Sequence, residues 1–292
     1  ENLDEVVMLP RVCYFGDDEL TGPAAYLAGV MEYCGFDYEH VPSRRRVADE
    51  LLKEPFALYV ISDYPSVGFT LPQLKRLREH VAQGSGLLMI GGWESYFGRV
   101  GEYVNRPIAE ALPVYLSMSD DRVNCPQGCV VRMAKRHPIT DGLPWDKPPL
   151  VAGFNRIFPK PEGTTLLAGD RLAITDRGDR LDVSVVDRVP LLVVGRFGAG
   201  RTAALAFDVA PHWISGMVDW GEHRIVVQIP AGGSIEVGDA YVRLLGNIVA
   251  WTGKLRELPD AYPEEDLSAS AASETIVATD TENATSLRER LT

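Results

Sequence analysis

The sequence predicts an α/β protein with a mostly parallel sheet, β-rich insertions and a late β-hairpin. Three observations carry this. Up to residue 115, β-prone runs alternate with helical ones, the rhythm of βαβ units. Two of those runs, 57–62 and 86–90, are continuously apolar, as strands covered on both faces are. Beyond residue 115 the pattern changes to β-prone segments with turns between them.

The elements follow in order. Arg11 to Phe15 is a short strand that stops at Gly16-Asp17-Asp18. A helix over 21–33 carries Ala25, Leu27, Ala28, Val30 and Met31 on one face, and Gly35 ends it. Asp37 to Val41 is a second strand, and Arg44 to Leu52 reads as a short helix with a solvated Arg44-Arg45-Arg46 start. The 57–62 strand ends at Asp63. A helix over 71–82 buries Leu74, Leu77 and Val81 and closes at Gly84. The 86–90 strand runs into Gly91-Gly92-Trp93-Glu94-Ser95. Residues 123–133, 153–158, 165–168 and 181–186 are β-rich excursions. Residues 190–194 and 202–207 then form a hairpin across the glycine-rich turn 195–201. This turn opens no helix and lacks the Lys-Ser/Thr of a phosphate loop, so it is not a nucleotide site. A helix over 238–251 closes the domain. Residues 1–260 are expected to form one domain and 261–292 a flexible, acidic tail rich in Ser, Thr and Ala, too poor in apolar residues to offset its ordering entropy.

Composition limits the partners. With 292 residues, 46% hydrophobic and 24% charged, the chain can bury a sizeable core. Twenty-nine basic against 41 acidic residues give a net charge of −12, which repels phosphate backbones and anionic lipid. Neither nucleic acid nor a membrane is an expected partner. No apolar run approaches the ~20 residues of a membrane span, no leader pattern is visible, and the cytoplasm is the expected location. A small polar molecule is the expected ligand, and an exposed sheet edge leaves room for a homo-oligomer. Cys13 and Cys34 read as core thiols. Cys125 and Cys129 have a three-residue spacing with no second pair to complete a zinc site, and read as structural or incidental.

In a parallel α/β sheet, ligands bind beyond the carboxyl ends of the strands. That rule gathers Asp17, Asp18, Asp63, Gly92, Trp93, Glu94, Ser95, Asp208 and His212 on one rim, with Asn155 and Arg156 covering the same edge. Carboxylates and a histidine there suit acid–base chemistry, and they are also ligands for a divalent metal, although no cofactor is identified. The competing reading has the strand-end aspartates capping helices and loops.

Tyr14-Phe15-Gly16-Asp17-Asp18, residues 24–30, Ile61-Ser62-Asp63 and residues 81–92 resemble segments of the putative glutamine amidotransferase family. So do Asp120-Asp121-Arg122-Val123, His137-Pro138-Ile139, Gly153-Phe154-Asn155-Arg156, residues 198–201 and Ala210-Pro211-His212-Trp213. The resemblance spans roughly residues 11 to 252 and implies a flavodoxin-like three-layer sandwich of the class I glutamine amidotransferase type. In such enzymes the elbow after a central strand carries a nucleophilic cysteine facing a histidine. Here Trp93 stands at that position. His212 matches the histidine, but Ile214 replaces its glutamate partner, with Asp208 as an alternative orienting carboxylate. Ser95 lies two residues past the elbow, outside a Gly-x-Ser-x-Gly pattern.

The expectation is therefore a pseudoenzyme: a small-ligand-binding or scaffold protein without glutaminase activity. It would contact ligand through Asp17, Asp18, Asp63, Gly92, Trp93, Ser95, Asn155 and Arg156. The alternative is a hydrolase or isomerase of a small polar substrate using His212, Glu94 and Asp208, with or without the help of a metal. A third reading, an amidotransferase with its nucleophile elsewhere, needs one of the four cysteines to reach His212.

Overall fold

The computed structural model describes residues 11–229 and 232–262. Its centre is a nine-stranded sheet. The strands are β1 (Val12–Gly16), β2 (Tyr38–Val41), β3 (Leu58–Ser62), β4 (Gly86–Ile90), β5 (Val114–Tyr115), β6 (Arg122–Met133), β7 (Leu150–Asn155), β8 (Phe158–Pro159), β9 (Thr164–Asp176), β10 (Leu181–Phe197), β11 (Gly200–Leu205), β12 (Arg224–Gln228) and β13 (Ser234–Gly238). The helices are α1 (Ala24–Cys34), α2 (Leu71–Gln83), α3 (Pro211–Val218) and α4 (Asp239–Thr252). The sheet order is β2-β1-β3-β4-β11-β10-β9-β6-β7. Its first five strands are parallel, and β10, β9, β6 and β7 continue it antiparallel. β5 with β8, and β12 with β13, form separate two-stranded pairs.

β1, β3, β4 and β11 are buried along their whole length, which is why their sequences are apolar without alternation. α1 and α4 pack on each other, and α4 covers β4 and β11. The β1–α1–β2 crossover moves one way along the sheet and the β3–α2–β4 crossover the other. Right-handed connections then put α1 and α2 on opposite faces. The direction reverses between β1 and β3, and a crevice opens there at the strand ends.

Several expectations are corrected. Arg44 to Leu52 is not an α-helix. It forms a turn and then a short 3-10 segment, Asp49–Leu52, because tertiary bonds take its backbone groups: Tyr64 donates to the Arg45 carbonyl, and Gln73 Nε2 to that of Val47. Residues 181–197 are one long strand rather than two pieces. Pro190 fits inside it because the β9–β10 register shifts between Pro190 and Leu192, where no ladder donor is needed. The β12–β13 hairpin was not anticipated. Of the tail expected over 261–292, residues 263–292 lie outside the described residues, and the chain up to Tyr262 packs on the domain. Asp260 pairs with Arg196 and Arg201, and Tyr262 donates to Asp141 at 3.0 Å.

Candidate functional site

The carboxyl ends of β1, β3 and β11 bring Asp17, Asp63 and Asp208 together. One carboxylate oxygen from each lies within 4.8 Å of the others. The backbone that delivers them is unusual. Asp17, Asp18 and Asp63 have φ of 53°, 56° and 43°, left-handed conformations that cost energy for residues with a Cβ. Tertiary contacts hold them there. A Cβ on Gly16 would overlap the Ser62 carbonyl, so β1 can end this close to β3 only with glycine. Ser43 Oγ donates to the Asp63 carbonyl at 2.5 Å and accepts from the Asp18 N–H at 3.2 Å.

Each carboxylate has its own surroundings. Asp17 is buried, and Tyr14 donates its phenolic proton to it at 2.5 Å. Burial, then the charge of Asp208, pushes the Asp17 carboxyl up from 3.8 to about 8, against the lowering effect of Ser62 and Tyr14. The Ser62 hydroxyl lies beside it but outside hydrogen-bond geometry. Burial also raises Asp63 well above the usual carboxylate range, with Asp208 and Asp17 adding to the rise, although the Glu94 N–H donates to its Oδ1 at 2.7 Å. Burial raises Asp208 to about 6, opposed by the Ala210 and Val209 N–H groups that its Oδ1 accepts at 3.2 and 2.6 Å. Two buried carboxylates and a half-buried one this close repel one another, so without a cation the cluster holds on to protons at a higher pH than free carboxylates do.

Of the strand-end aspartates, Asp208 accepts from the Val209 and Ala210 N–H groups of the loop before α3, and α3 itself has no side-chain cap. Asp17 caps no helix either, since the N-cap of α1 is Pro23, with no side-chain cap. Asp18 turns outward to an ion pair with Arg44 at 3.0 Å. No described bond links Asp208 to His212.

Above the aspartates lies the elbow after β4. Gly92 touches the Asp63 carboxylate so closely that a Cβ would overlap it. Trp93, 39% exposed, packs its indole edge-on to the exposed His212 ring, with centroids 5.4 Å apart at 73°. The Arg122 guanidinium covers the indole at 4.8 Å and is held by Asp120 at 2.7 Å. The half-buried Glu94 is raised by burial and by Asp18, while Arg44 lowers it.

Ser95 and Asn155 build the elbow. Ser95 is fully buried and accepts from the Asp63 N–H at 2.9 Å. Asn155 is also fully buried. Its Oδ1 accepts from the Gly92 N–H at 2.8 Å, and its Nδ2 donates to the Gly92 carbonyl at 3.0 Å and to Asp121 at 2.8 Å. Asp121 also accepts the Phe97 and Gly98 N–H groups at 3.0 and 2.9 Å. Arg156 is exposed, and its N–H donates to the Asp121 carbonyl at 2.7 Å. Sequence reasoning missed Tyr14, Asp121 and Arg122 as parts of the site. Their segments stood among the matching motifs, but no spacing rule joins residues so far apart in the chain.

None of the four cysteines belongs to the elbow after β4. Cys13 is buried inside β1 and Cys34 ends α1. Cys125 and Cys129 are in β6, beside Arg171.

A parallel half-sheet with an elbow after β4 and a histidine after β11 defines a class I glutamine amidotransferase-like protein. The sequence profile of the family described as "Putative glutamine amidotransferase" matches residues 58–228, more than half of the chain, and the chain belongs to that family. Among solved structures it is similar to a cytoplasmic protein from Salmonella typhimurium, with 23% identity and a TM-score of 0.60 over 86% of this chain and 99% of that one. It is also similar to a cytoplasmic protein from Salmonella typhimurium LT2, with 27% identity and a TM-score of 0.55 over 70% of this chain and 90% of that one. No curated protein matches the chain. Among the described residues, no helix is long and apolar enough to cross a membrane.

Proposed function

We propose that this chain is a glutamine amidotransferase-like protein that binds a small polar molecule at its strand-end cleft and does not hydrolyse glutamine. The observation that carries the reading is the contact between Trp93 and His212. Glutamine hydrolysis of this type needs a nucleophile facing the histidine, and an indole has no attacking atom. The indole and the Arg122 guanidinium above it instead form an aromatic, cationic wall. The carboxylates of Asp63 and Glu94 and the His212 ring supply polar partners along the rim. The two similar Salmonella proteins are described as cytoplasmic, which supports the cytoplasm as its location.

Titration calorimetry with a panel of amino acids, hydroxy acids and sugars tests this. At least one class is expected to bind, and Trp93→Ala and His212→Ala each to weaken it by about tenfold or more. Undiminished binding in both variants would remove the cleft as the site.

The convergence of Asp17, Asp63 and Asp208 favours a second reading, a hydrolase or isomerase in which these oxygens hold a divalent cation and His212 moves a proton. A cation must displace the protons the cluster retains. Mn2+ affinity is therefore expected to rise between pH 6 and pH 8 and to fall sharply in Asp208→Asn. No Mn2+ binding at pH 8 would leave the first reading alone.

A further inference from the structure

Strands β9 and β10 run beyond the main sheet as a two-stranded arm. Backbone pairing of β6 with β9 ends at Arg171, and β10 meets β11 only from Leu192 onward. The arm closes in a turn where the Arg177 N–H donates to the Arg180 carbonyl at 2.9 Å. Between that turn and the register shift after Val185, β10 has β9 on one side and, among the described residues, no strand on the other. A two-stranded ribbon is marginal in water unless a further strand or a covered apolar face supports it.

The direction of the unpaired backbone groups follows from the partners of β9. The Ile174 N–H donates to the Gln127 side chain at 3.1 Å, and the Ile174 carbonyl accepts from it at 3.0 Å, so both point away from β10. Ile174 and Val183 therefore face each other as a non-hydrogen-bonded pair, and the Val183 N–H and C=O point to the open edge. The two kinds of pair alternate along an antiparallel ladder, so Leu181 and Val185 point theirs the same way. The bond from Arg177 to Arg180 gives the same phase from the turn end.

The side chains match this edge. Leu181, Val183 and Val185 share one face, together with Ile174 opposite Val183 and Leu172 opposite Val185. Val183 is 53% and Val185 54% exposed. Among the described residues, none of the five packs on the core. Open edges are commonly blunted by lysine, proline or an inward charge. Leu181-Asp182-Val183-Ser184-Val185 carries neither lysine nor proline, and Arg177 and Arg180 draw the Asp182 carboxylate back along the arm at 2.9 and 3.1 Å. Charge points to the occupant. Residues 170–188 hold five Asp against four Arg, a net −1 in a chain of −12, so two copies meet here without the repulsion carried by the rest of their surface.

We propose that the 181–185 edge of β10 seats a second copy of this chain, paired antiparallel about a two-fold axis at Val183. Val183 then lies opposite Val183 of the other copy, and Leu181 opposite its Val185. Each of these pairs exchanges two N–H···O bonds, which uses every outward group of the segment. The apolar faces of the two arms become continuous. On the other face Asp182 meets the Ser184 hydroxyl of the other copy, so no like charges stand opposite each other within the segment. The register shift past Val185 ends the pairing there. The proposal is independent of what occupies the strand-end cleft.

Light scattering of the full chain on a sizing column tests it. The wild type is expected at twice the mass of one chain. Val183→Lys and Val183→Pro are each expected to raise the dimer dissociation constant by about tenfold or more. The N–H lost in Val183→Pro serves only the open edge, so the bonds to β9 remain, and circular dichroism like that of the wild type checks that both variants fold. Under mild oxidation with copper phenanthroline, Val183→Cys is expected to give a disulfide-linked dimer, because the Cα atoms of a hydrogen-bonded pair lie about 5.5 Å apart. Val186→Cys, equally exposed but about 20 Å from its counterpart along the paired strands, is expected to give none. A monomeric wild type, a dimer that both folded variants leave intact, or linkage through Val183→Cys no better than through Val186→Cys would each overturn the proposal.

Discussion

Asn155 is the residue on which the site's shape turns. Its one amide satisfies both backbone groups of Gly92 and bonds Asp121, all without access to water. Asn155→Ala leaves these groups unpaired at about 1–3 kcal/mol each, and a drop in denaturation midpoint together with weaker ligand binding is expected. Gly92→Ala puts a methyl into the Asp63 carboxylate and should disturb binding more than stability. The aspartates give a pH signature. The Asp17 carboxyl is raised from 3.8 to about 8, so its contribution to stability is fully present below pH 3.8 and is lost as pH rises through 8. Thermal melts are expected to fall between pH 6 and pH 9 in the wild-type chain. They should fall less in Asp17→Asn, which keeps an acceptor for Tyr14 and carries no charge. Equal slopes would show that the cluster is not the cause.

At the scale of elements, the elbow after β4 and the closing segment after α4 are both held by side chains from elsewhere in the fold. Tyr96 donates to the Met89 and Leu205 carbonyls at 3.0 and 2.9 Å, joining the ends of β4 and β11. Arg201, buried at the start of β11, donates to the Trp251 and Leu258 carbonyls at 2.8 and 3.1 Å and pairs with Asp260. Arg201→Ala is expected to cost about 3 kcal/mol and to increase hydrogen exchange over residues 253–262 before the sheet is affected. Such ties explain what could be read from the sequence and what could not. β1, β3, β4, α1, α2 and α4 were legible because apolar runs, helical spacing and glycine stops are local signals. The Arg44 to Leu52 segment was misread because its bonds go to Gln73 and Tyr64. Strand β10 was misread because Pro190 breaks a strand in sequence and sits at a register shift in the fold. In the site, strand-end logic named Asp17, Asp63 and Asp208 separately, and only the sheet order puts their oxygens together.

At the scale of the whole molecule, the crossover connections reverse their direction along the sheet between the parallel strands β1 and β3, which makes the crevice, and the elbow after β4 and His212 overlook it. The scaffold is that of a glutamine amidotransferase-like protein, and in the proposed reading the Trp93 indole stands where the attacking atom would be. The most direct test incubates the full chain with glutamine and follows ammonia and glutamate, with a glutamine-analogue electrophile as a covalent probe. Ammonia release no faster than in buffer, and no labelling at Cys13, Cys34, Cys125 or Cys129, are the expected results. Catalytic turnover of glutamine, with the electrophile on one of those sulfurs, would contradict the account.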